Sequence, residues 1–291
     1  MILITGASGT VGREVLSEVR KTGKHVLAMY RSAEDARSAP AGVTAVIADF
    51  ADQTALQKAL PGVGAIFLVC SPVPELVQLE SNVLDACKAA GVSHVILNSA
   101  LGAGDYPKSF PSWHRKVEDK LKASGLGYTI LRPNTFMQNM VTYYSQSIRA
   151  QGAFYSSMGD AKISFIDVRD IGAAAANILA APAAHAGQIY ELNGPEAFSF
   201  ADVATMISKI VGKPVQFVNT PEEAEGKAML DLGMPEWQVN ALLDLHRYYT
   251  VEKKGADVTP VLENLLGRPA IRMQRYLTEN KNAFHSQAAG A

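Results

Sequence analysis

The first half of the chain alternates short apolar runs with longer amphipathic segments. The runs are rich in Val, Ile and Leu and are mostly apolar throughout, which is typical of strands that helices cover on both faces. The segments between them have the length of helices, and this alternation predicts βαβ units that build one parallel sheet. The six predicted strands are Ile2–Thr5, His25–Tyr30, Val43–Ala48, Ala65–Val69, His94–Asn98 and Tyr128–Leu131.

Helix signals fill the intervals between these strands. Val11, Val15 and Val19 share one face of a first predicted helix, and Asp52 is a capping residue that opens a second one. Two longer helices end at glycine, which readily takes the left-handed conformation of a helix C-terminus. These two are Leu76–Ala90, closed by Gly91, and Ser112–Ser124, closed by Gly125. The predicted fold class is therefore α/β, with a Rossmann-type doubly wound parallel sheet.

The pattern is less regular after Pro133. The predicted elements there are a helix at Phe136–Arg149, a loop at Gly152–Gly159, a strand at Lys162–Ile166, a helix at Asp170–Ala181 and a strand at Gln188–Leu192. The remainder is mainly helical, because two capping boxes and two prolines mark helix starts and glycines mark helix ends. The boxes are Ser199 with Asp202 and Thr220 with Glu223, the ends are Gly212 and Gly233, the prolines are Pro235 and Pro260, and the last helix is Ile271–Phe284.

These elements predict two domains and a short tail. Residues 1–193 form the Rossmann-type domain, and residues 194–285 form a small, mostly helical C-terminal lobe, which some segments of 133–160 join. Residues 286–291 are predicted to be a disordered tail. Ligands of such folds bind at the carboxyl edge of the sheet, and we expect the lobe to pack against that edge.

Composition excludes several classes of protein. With 291 residues of which 48% are hydrophobic, the chain can bury a large core, so an intrinsically disordered protein is excluded. Its 27 Lys and Arg balance 28 Asp and Glu, which provides no basic surface for a nucleic acid. No apolar run is long enough to cross a membrane, and the first residues resemble a strand and a turn rather than a signal peptide. We expect a cytoplasmic protein with no nucleic acid or membrane partner.

Cysteine and histidine offer no metal site. Cys70 and Cys87 lack CxxC spacing and lie in apolar runs, so they are expected to be reduced, buried thiols. The six His residues are far apart along the chain, which removes the local pairs from which most zinc sites are built.

A glycine-rich turn between the first strand and the first helix is the strongest chemical signal. A first glycine there makes the tight turn, a second lets the backbone approach a pyrophosphate, and a third lets the helix lie close to the strand. Alone, three glycines also suit an ordinary βα turn, but their position in a βαβ unit predicts a dinucleotide site. The spacing GxxGxxG resembles the extended and atypical short-chain dehydrogenases/reductases. The motif is Gly6, Ala7, Ser8, Gly9, Thr10, Val11 and Gly12.

The end of the second strand predicts which dinucleotide binds. An acid there would accept hydrogen bonds from a ribose 2′-hydroxyl and repel a 2′-phosphate. The strand instead ends with Tyr30 and Arg31, and the first carboxylate is Glu34. Because a guanidinium can hold a phosphate, the sequence favours NADP(H), although a solvated arginine is the alternative.

A wider resemblance covers nearly the whole chain. It rests on segments spread from the fourth helix to the late part of the lobe, and it identifies the chain as similar to the NmrA-like family of atypical short-chain dehydrogenases/reductases. Within that family it is most similar to the triphenylmethane reductases and the NADPH-dependent quinone oxidoreductases. The segments are His114–Glu118, Ser124–Pro133, Phe136–Asn139, Phe165–Asp170 and Leu265–Pro269.

The resemblance also implies cofactor contacts at later strand ends. Residues after the third strand would contact the adenine, and residues after the fourth strand would line the nicotinamide ribose. Without the glycine motif these positions would be ordinary turns. We expect a substrate pocket lined by the Gly102–Phe110 loop and by aromatic and soft apolar side chains. These side chains are Phe136, Met137, Met140, Tyr143 and Tyr144, and the alternative is that they are core residues. The implied contacts are Asp49, Phe50, Cys70, Ser71, Pro72 and Pro133.

The usual catalytic pair of the superfamily is missing. If His114 occupies the position of its lysine, Phe110 occupies that of its tyrosine, and a phenyl ring has no proton to give. The chain therefore lacks the standard acid for ketone reduction. His114 could donate a proton or orient an acceptor oxygen, with a surface residue as the alternative. Ser99 could lie near the substrate or cap the end of its strand.

These observations predict an NADPH-dependent oxidoreductase that transfers hydride directly to a flat, electron-poor acceptor such as a quinone or dye. Such acceptors yield a stabilised anion or a neutral product and need no strong acid. The alternative is a non-catalytic, NADP(H)-sensing regulator of the NmrA type, which the loss of the Tyr and Lys pair fits equally well. We expect a small aromatic substrate, no metal, and a homodimer as the assembly to test.

Overall fold

The structure is a computed structural model that describes residues 1–285. Its contacts divide the chain into two compact units. Unit 1 comprises residues 1–133, 168–192 and 261–268, and unit 2 comprises 134–167, 193–260 and the part of the chain from residue 269 onward. The chain therefore passes between the units several times, and the single boundary after residue 193 stays a prediction. The tail predicted at 286–291 lies outside the described residues.

The described residues form nine strands, twelve α-helices and three short helices of other types. The strands are β1 Ile2–Ile4, β2 Val26–Tyr30, β3 Thr44–Ile47, β4 Ala65–Leu68, β5 His94–Asn98, β6 Gly127–Pro133, β7 Ala153–Ser156, β8 Gln188–Leu192 and β9 Gln216–Asn219. The α-helices are α1 Thr10–Arg20, α2 Ala33–Ala36, α3 Gln53–Ala59, α4 Leu76–Ala90, α5 Ser109–Ala123, α6 Ser145–Gln151, α7 Val168–Ala180, α8 Phe200–Val211, α9 Glu222–Asp231, α10 Glu236–Thr250, α11 Val261–Leu266 and α12 Met273–Glu279. The others are a π-helix at Met140–Tyr144 and 3₁₀ turns at Pro182–His185 and Lys281–Ala283.

Unit 1 is a seven-stranded parallel sheet with the order β3-β2-β1-β4-β5-β6-β8. Ile2 of β1 lies opposite Val26 of β2 on one side and Ala65 of β4 on the other. The strand order reverses direction between β1 and β4, and the crevice outside the carboxyl ends of the strands at such a point is where ligands of this fold bind. The predicted doubly wound sheet is confirmed.

Helices cover both faces of this sheet. On one face α1 packs against α7, and α11 packs beside α7, while α3, α4 and α5 pack side by side on the other. The contact of α1 with α7 requires a glycine, because a Cβ at Gly172 would lie 2.8 Å from the backbone carbon of Glu14. Beneath α3, α4 and α5 lies the core, in which Leu3, Ile66 and Leu97 have no exposed surface.

Unit 2 combines helices with a small sheet. Its strands β7 and β9 pair in parallel, with Phe154 opposite Phe217. The two rings contact each other and Phe200 of α8, with centroid distances between 5.5 and 5.7 Å. An aromatic cluster therefore forms the core of this unit.

Unit 2 is also where the sequence predictions fail most. The predicted strand Lys162–Ile166 is wrong, because only Ile163 and Ile166 form isolated bridges. The loop predicted at Gly152–Gly159 contains β7, and its partner β9 lies in a region predicted to be mainly helical. Each strand has four residues, so the hydrophobic pattern of either is too short to identify it, and pairing across the unit decides both.

Helix ends in the second half of the chain were predicted with mixed success. The capping box of Ser199 and Asp202 is confirmed in full. The box of Thr220 is wrong, because Pro221 is the N-cap of α9 and the Thr220 hydroxyl has no hydrogen-bond partner within the described residues. The helix predicted at Phe136–Arg149 is divided into the π-helix and α6, and the last one into α12 and a 3₁₀ turn.

Candidate functional site

The glycine motif forms a closed turn between β1 and α1. Gly6 has a φ of 55°, which favours glycine, and the N–H of Gly9 donates to the Gly6 carbonyl at 2.8 Å. A Cβ on Gly12 would lie 2.1 Å from the same carbonyl oxygen. The helix can therefore begin directly against the turn only because residue 12 has no side chain.

The N-terminus of α1 is open to an anion. Its N-cap, Gly9, makes no side-chain cap, and the first turn contains no acidic residue. Ser8 and Thr10 are exposed, whereas Ala7 and Val11 are buried and anchor the turn in the core. The N–H groups of the first turn have no acceptor inside the helix, and the helix dipole is positive there. The turn and the helix start therefore fit a pyrophosphate.

Arg31, Asp49 and Cys70 follow β2, β3 and β4 and therefore share the carboxyl edge of the parallel sheet in unit 1. Arg31 is exposed, and the charges of both Arg31 and Asp49 act on the thiol of Cys70. Burial is the main cause that raises the pKa of Cys70 to about 12, and the Glu80 carboxyl is the next. The structure thus places three predicted cofactor residues at one edge of the sheet, and a thiol with this pKa is protonated near pH 7.

Hydrogen bonds hold the loop after β3. The carboxylate of Asp49 accepts from the Ala51 N–H at 2.8 Å, and Asn82 on α4 donates to the Phe50 carbonyl at 2.9 Å. Gln78 in turn donates to Asn82 at 2.8 Å. Phe50 therefore has a defined backbone position. In the loop after β4, Ser71 and Pro72 are exposed, so both remain available for the contacts predicted from the sequence.

Glu80 is a buried acid that the sequence pattern did not single out. This residue of α4 has no exposed surface, and within residues 1–285 neither carboxyl oxygen has a hydrogen-bond partner. Burial raises its pKa well above the usual value. One signal could have found it, because Glu80 falls four residues after Leu76 on the apolar face of the predicted helix.

A buried ion pair holds Ser99. The Ser99 hydroxyl donates to Glu118 of α5 at 2.7 Å, and Arg132 of β6 donates to the same carboxylate from two nitrogens at 2.9 and 2.7 Å. Burial alone would raise the pKa of Glu118, but the hydrogen bonds from Arg132 and Ser99 lower it below the usual value. The hydroxyl hydrogen of Ser99 is therefore engaged by the Glu118 carboxylate and is not free to bind a substrate. Glu118 and Arg132 belong to the segments that carry the family resemblance, but their pairing is not predicted by either segment.

The same guanidinium supports the loop that follows Ser99. A Cβ on Gly104 would lie 2.6 Å from Nη1 of Arg132, so the loop backbone packs directly on the guanidinium. Arg115 of α5 donates to the Gly104 carbonyl. The ion pair therefore fixes Ser99 and part of the Gly102–Phe110 loop together.

His114 is a buried residue and not a surface one. Its side chain is 6% exposed, and its Nδ1 atom has no partner within the described residues. Burial lowers its pKa to about 4, while the nearby Glu118 carboxylate opposes this shift. The ring is therefore neutral near pH 7, well above this pKa. Phe110 packs edge-on against Trp113 with a centroid distance of 5.3 Å.

The aromatic and soft residues predicted for the pocket differ in exposure. Met137 and Met140 are core residues of unit 2, exposed by no more than 1%. Tyr144 packs on Phe154 and Phe200 of the aromatic cluster, whereas Tyr143 is 54% exposed. Packing therefore explains most of these residues, and Tyr143 remains free for a ligand. Pro133, predicted as a cofactor contact, is buried at the end of β6 opposite Leu192 of β8.

Residues 1–285 contain neither a metal-binding cluster nor a helix that could span a membrane. Among residues 1–285 no group of three or more His, Cys, Asp and Glu side chains is arranged to hold a metal ion. In the same part of the chain no helix combines the length and the apolar character that a bilayer crossing requires.

Comparison with known proteins identifies the family. The NmrA-like family profile matches residues 1–269. The NAD(P)H azoreductase of Xenophilus azovorans is 35% identical over 98% of this chain and 99% of that protein. A crystal structure of an NADPH-dependent quinone oxidoreductase from Escherichia coli, complexed with NADPH, has a TM-score of 0.87 and 31% identity over 97% of this chain and 99% of that chain.

A third protein shares the fold. The triphenylmethane reductase of Citrobacter sp., solved with NADP(H), has a TM-score of 0.86 at 22% identity and covers 97% of this chain and 100% of that chain. At this identity the likeness supports the fold alone. The resemblance inferred from the sequence motifs is confirmed by the family profile and by the azoreductase and quinone oxidoreductase, and the chain belongs to the NmrA-like family.

Proposed function

We propose that this protein is an NADPH-dependent oxidoreductase that reduces flat, electron-poor acceptors such as quinones and azo or triphenylmethane dyes. The observation that carries the proposal is the cradle at Gly6–Gly12, where a glycine-rich turn meets a helix start without a side-chain cap. Relatives covering nearly the whole chain are an NAD(P)H azoreductase and an NADPH-dependent quinone oxidoreductase, which supports both the cofactor and the acceptor class.

The residues of the cradle would hold the pyrophosphate through backbone N–H groups. Neither Gly6 nor Gly12 tolerates a Cβ, because each backbone approaches a neighbouring residue too closely. Arg31, exposed at the end of β2 with no carboxylate beside it in sequence, would bind the 2′-phosphate. Asp49 and Phe50 would contact the adenine, and the exposed residues after β4, with Pro133, would line the ribose and nicotinamide.

Bound NADPH supplies a hydride to the acceptor, and the chain's own residues limit which acceptors can react. Phe110 has no acidic hydrogen, and the Ser99 hydroxyl donates to Glu118. The neutral ring of His114 is a poor acid near pH 7 because of its lowered pKa. We therefore propose that the neutral ring of His114 orients an oxygen atom of the acceptor through one hydrogen bond. Acceptors whose reduced form is a stabilised anion suit such a site, since solvent can protonate it.

The test is NADPH oxidation by the purified protein with a quinone, an azo dye, a triphenylmethane dye and a simple ketone. We expect turnover with at least one of the first three acceptors and none with the ketone. Tight NADPH binding without oxidation by any acceptor would contradict the proposal and favour the non-catalytic regulator. No saturable binding of either nicotinamide nucleotide would reject both functions.

Cofactor preference is tested at Arg31. Arg31→Glu is expected to weaken NADPH binding much more than NADH binding, because it replaces the phosphate's cation with a like charge. Arg37→Glu is the matched control, since Arg37 is also exposed and lies just after α2. Equal losses of both nucleotides in Arg31→Glu, measured by calorimetry, would refute this role.

Three further expectations are part of the proposal and rest on the sequence alone. They are a homodimer, no nucleic-acid partner and a cytoplasmic location. Light scattering of the purified protein tests the homodimer, and a shift assay with duplex DNA and RNA at physiological salt tests the second expectation.

A further inference from the structure

A histidine and a carboxylate join three elements of unit 2. Nδ1 of His246 on α10 donates to Glu225 of α9 at 3.2 Å. The same carboxylate accepts from the Ser156 hydroxyl at 2.7 Å and from the Ser157 N–H at 2.8 Å, where β7 ends. Glu225 is buried, and the side chain of His246 is 12% exposed. Three donors from two other elements therefore hold the Glu225 carboxylate in one position.

These hydrogen bonds decide which nitrogen of His246 carries a hydrogen. Burial alone would raise the pKa of Glu225, but the hydrogen bonds that it accepts lower it to about 2, so the carboxylate is ionised near pH 7. An ionised carboxylate only accepts hydrogen bonds, and Nδ1 is therefore the donor nitrogen. Nε2 of the neutral ring is left with a lone pair and no hydrogen. Within residues 1–285 Nε2 has no hydrogen-bond partner and is not a buried atom, so it reaches solvent.

The geometry excludes nucleophilic catalysis by the neighbouring serine. In a triad of serine, histidine and an acid, the serine and the acid contact opposite nitrogens of the imidazole. Here the Ser157 hydroxyl lies 3.5 Å from Nδ1, the nitrogen that already donates to Glu225. The free nitrogen, Nε2, is therefore open to a ligand and does not activate Ser157.

An exposed aromatic ring belongs to the same part of unit 2. The π-helix packs on β7 through Tyr144, whose ring centroid lies 5.2 Å from that of Phe154. Phe154 precedes Ser156 by two residues in β7, so the π-helix and the pair of His246 and Glu225 contact one strand. Tyr143, the neighbour of Tyr144 in the π-helix, is 54% exposed. Turns of π-helix are rare and frequently occur at functional sites.

We propose that His246 is a specificity residue of unit 2, whose Nε2 atom accepts a hydrogen bond from the hydroxyl of a phenolic ligand. The inference rests on the proposed function and deepens it, because the hydroquinone formed by quinone reduction is a phenol. Glu225 is a positioning residue that acts through His246, since it fixes the tautomer with no hydrogen on Nε2. An ether oxygen has no hydrogen to donate, so the site discriminates phenols from their methyl ethers.

The experiment compares 2-naphthol with its methyl ether, 2-methoxynaphthalene, as flat ligands of the protein saturated with NADP+. Binding is measured by calorimetry at about pH 8, where a phenol with a pKa of about 10 is protonated. The preference for the phenol over the ether should be about fivefold greater in the wild type than in His246→Asn, as one neutral hydrogen bond contributes. Comparing this preference between proteins cancels the affinity of the ether's own methyl group.

The variant is chosen to keep the fold. In His246→Asn the amide N–H can replace Nδ1 as a donor to Glu225, but no atom occupies the position of Nε2. His25→Asn is the matched control, because His25 is an exposed histidine of unit 1, and it should retain the wild-type preference.

A second measurement observes the tautomer directly. In a proton–nitrogen correlation spectrum of the histidine rings, assigned with His246→Gln, Nδ1 of His246 should carry the hydrogen at about pH 8, and 2-naphthol should shift the Nε2 resonance. Glu225→Gln should move part of the hydrogen to Nε2 and reduce the preference for the phenol. A contribution of Glu225 to stability alone would leave this spectroscopic signature unchanged.

Three results would overturn the inference: no binding of 2-naphthol, an equal preference in the wild type and His246→Asn, or a hydrogen on Nε2 in the wild type. Each of them leaves the proposed function standing if the protein still oxidises NADPH with a quinone or a dye. Absence of nicotinamide nucleotide binding by the wild type would instead reject the proposed function.

Discussion

The ion pair of Glu118 and Arg132 offers a quantitative test of the structure of unit 1. Glu118 has no exposed surface and receives four donors, two from Arg132, one from Ser99 and one from Lys122 at 3.2 Å. Arg132→Met removes the two strongest charge-assisted donors and leaves the carboxylate buried. Breaking a buried pair in this way costs about 3–5 kcal/mol.

The lower end of this range is expected here. Lys122 is 32% exposed and can approach Glu118 more closely once the guanidinium is gone. We therefore expect Arg132→Met to lower the free energy of unfolding by about 3 kcal/mol. With a urea slope of about 2 kcal/mol/M, the unfolding midpoint should fall by about 1.5 M. The assay is urea denaturation followed by circular dichroism near neutral pH, where Glu118 is ionised.

Two further variants separate a lost ion pair from lost packing. Arg132→Met combined with Glu118→Leu removes both charges, so it should be more stable than Arg132→Met alone. Lys227→Met is the control, because Lys227 pairs with Asp231 at 2.5 Å but both side chains are more than 60% exposed, and it should cost at most about 1 kcal/mol. A loss below about 1 kcal/mol in Arg132→Met, or a double variant as unstable as the sum of the two changes, would refute the reasoning.

Three other outcomes are expected. Gly12→Ala should reduce NADPH affinity by about a hundredfold or more, because its Cβ would lie 2.1 Å from the Gly6 carbonyl oxygen; unchanged affinity in calorimetry would contradict the cradle. The pKa of Glu225 is lowered to about 2, below its value in the unfolded chain, because hydrogen bonds that include one from His246 outweigh the effect of burial. The ionised carboxylate therefore stabilises the folded state above about pH 4, and this stabilisation is lost towards about pH 2. Glu225→Gln should therefore destabilise the protein at neutral pH and by a decreasing amount in acid, and a constant difference in thermal unfolding would reject this linkage. His114→Ala should lower kcat/KM about fivefold, the value of one hydrogen bond, without changing its pH profile between about pH 6 and about pH 8; unchanged turnover removes His114 from the mechanism, and a lost alkaline limb would show that it donates a proton.

The elements predicted correctly are those whose signals are local. β5 spans His94–Asn98 and α4 spans Leu76–Ala90, as their apolar runs and the glycine after α4 predict. The parallel order of the sheet follows because helices between strands force right-handed crossovers. The β7 and β9 pair was missed for the opposite reason. Four residues do not establish a period, and each strand depends on a partner about sixty residues away in sequence.

The candidate site shows the same division between local and long-range information. The Gly6–Gly12 motif and Arg31 are recognisable because a turn, a helix start and a strand end lie within one βαβ unit. The environments of His114 and Ser99 were not recognisable. Whether an imidazole titrates near neutral pH depends on its burial, and whether a serine is free depends on the carboxylate of another element.

Sequence alone therefore determined the Rossmann-type sheet and the glycine cradle, because these depend on residue type and short-range periodicity, and it predicted a preference for a 2′-phosphate. Tertiary structure decided the charge states: it buried Glu80 without a partner, joined Glu118 to Arg132 and made His114 neutral. The physical reason is that the cost of a charge depends on the solvent and dipoles around it, and folding assembles these from distant parts of the chain.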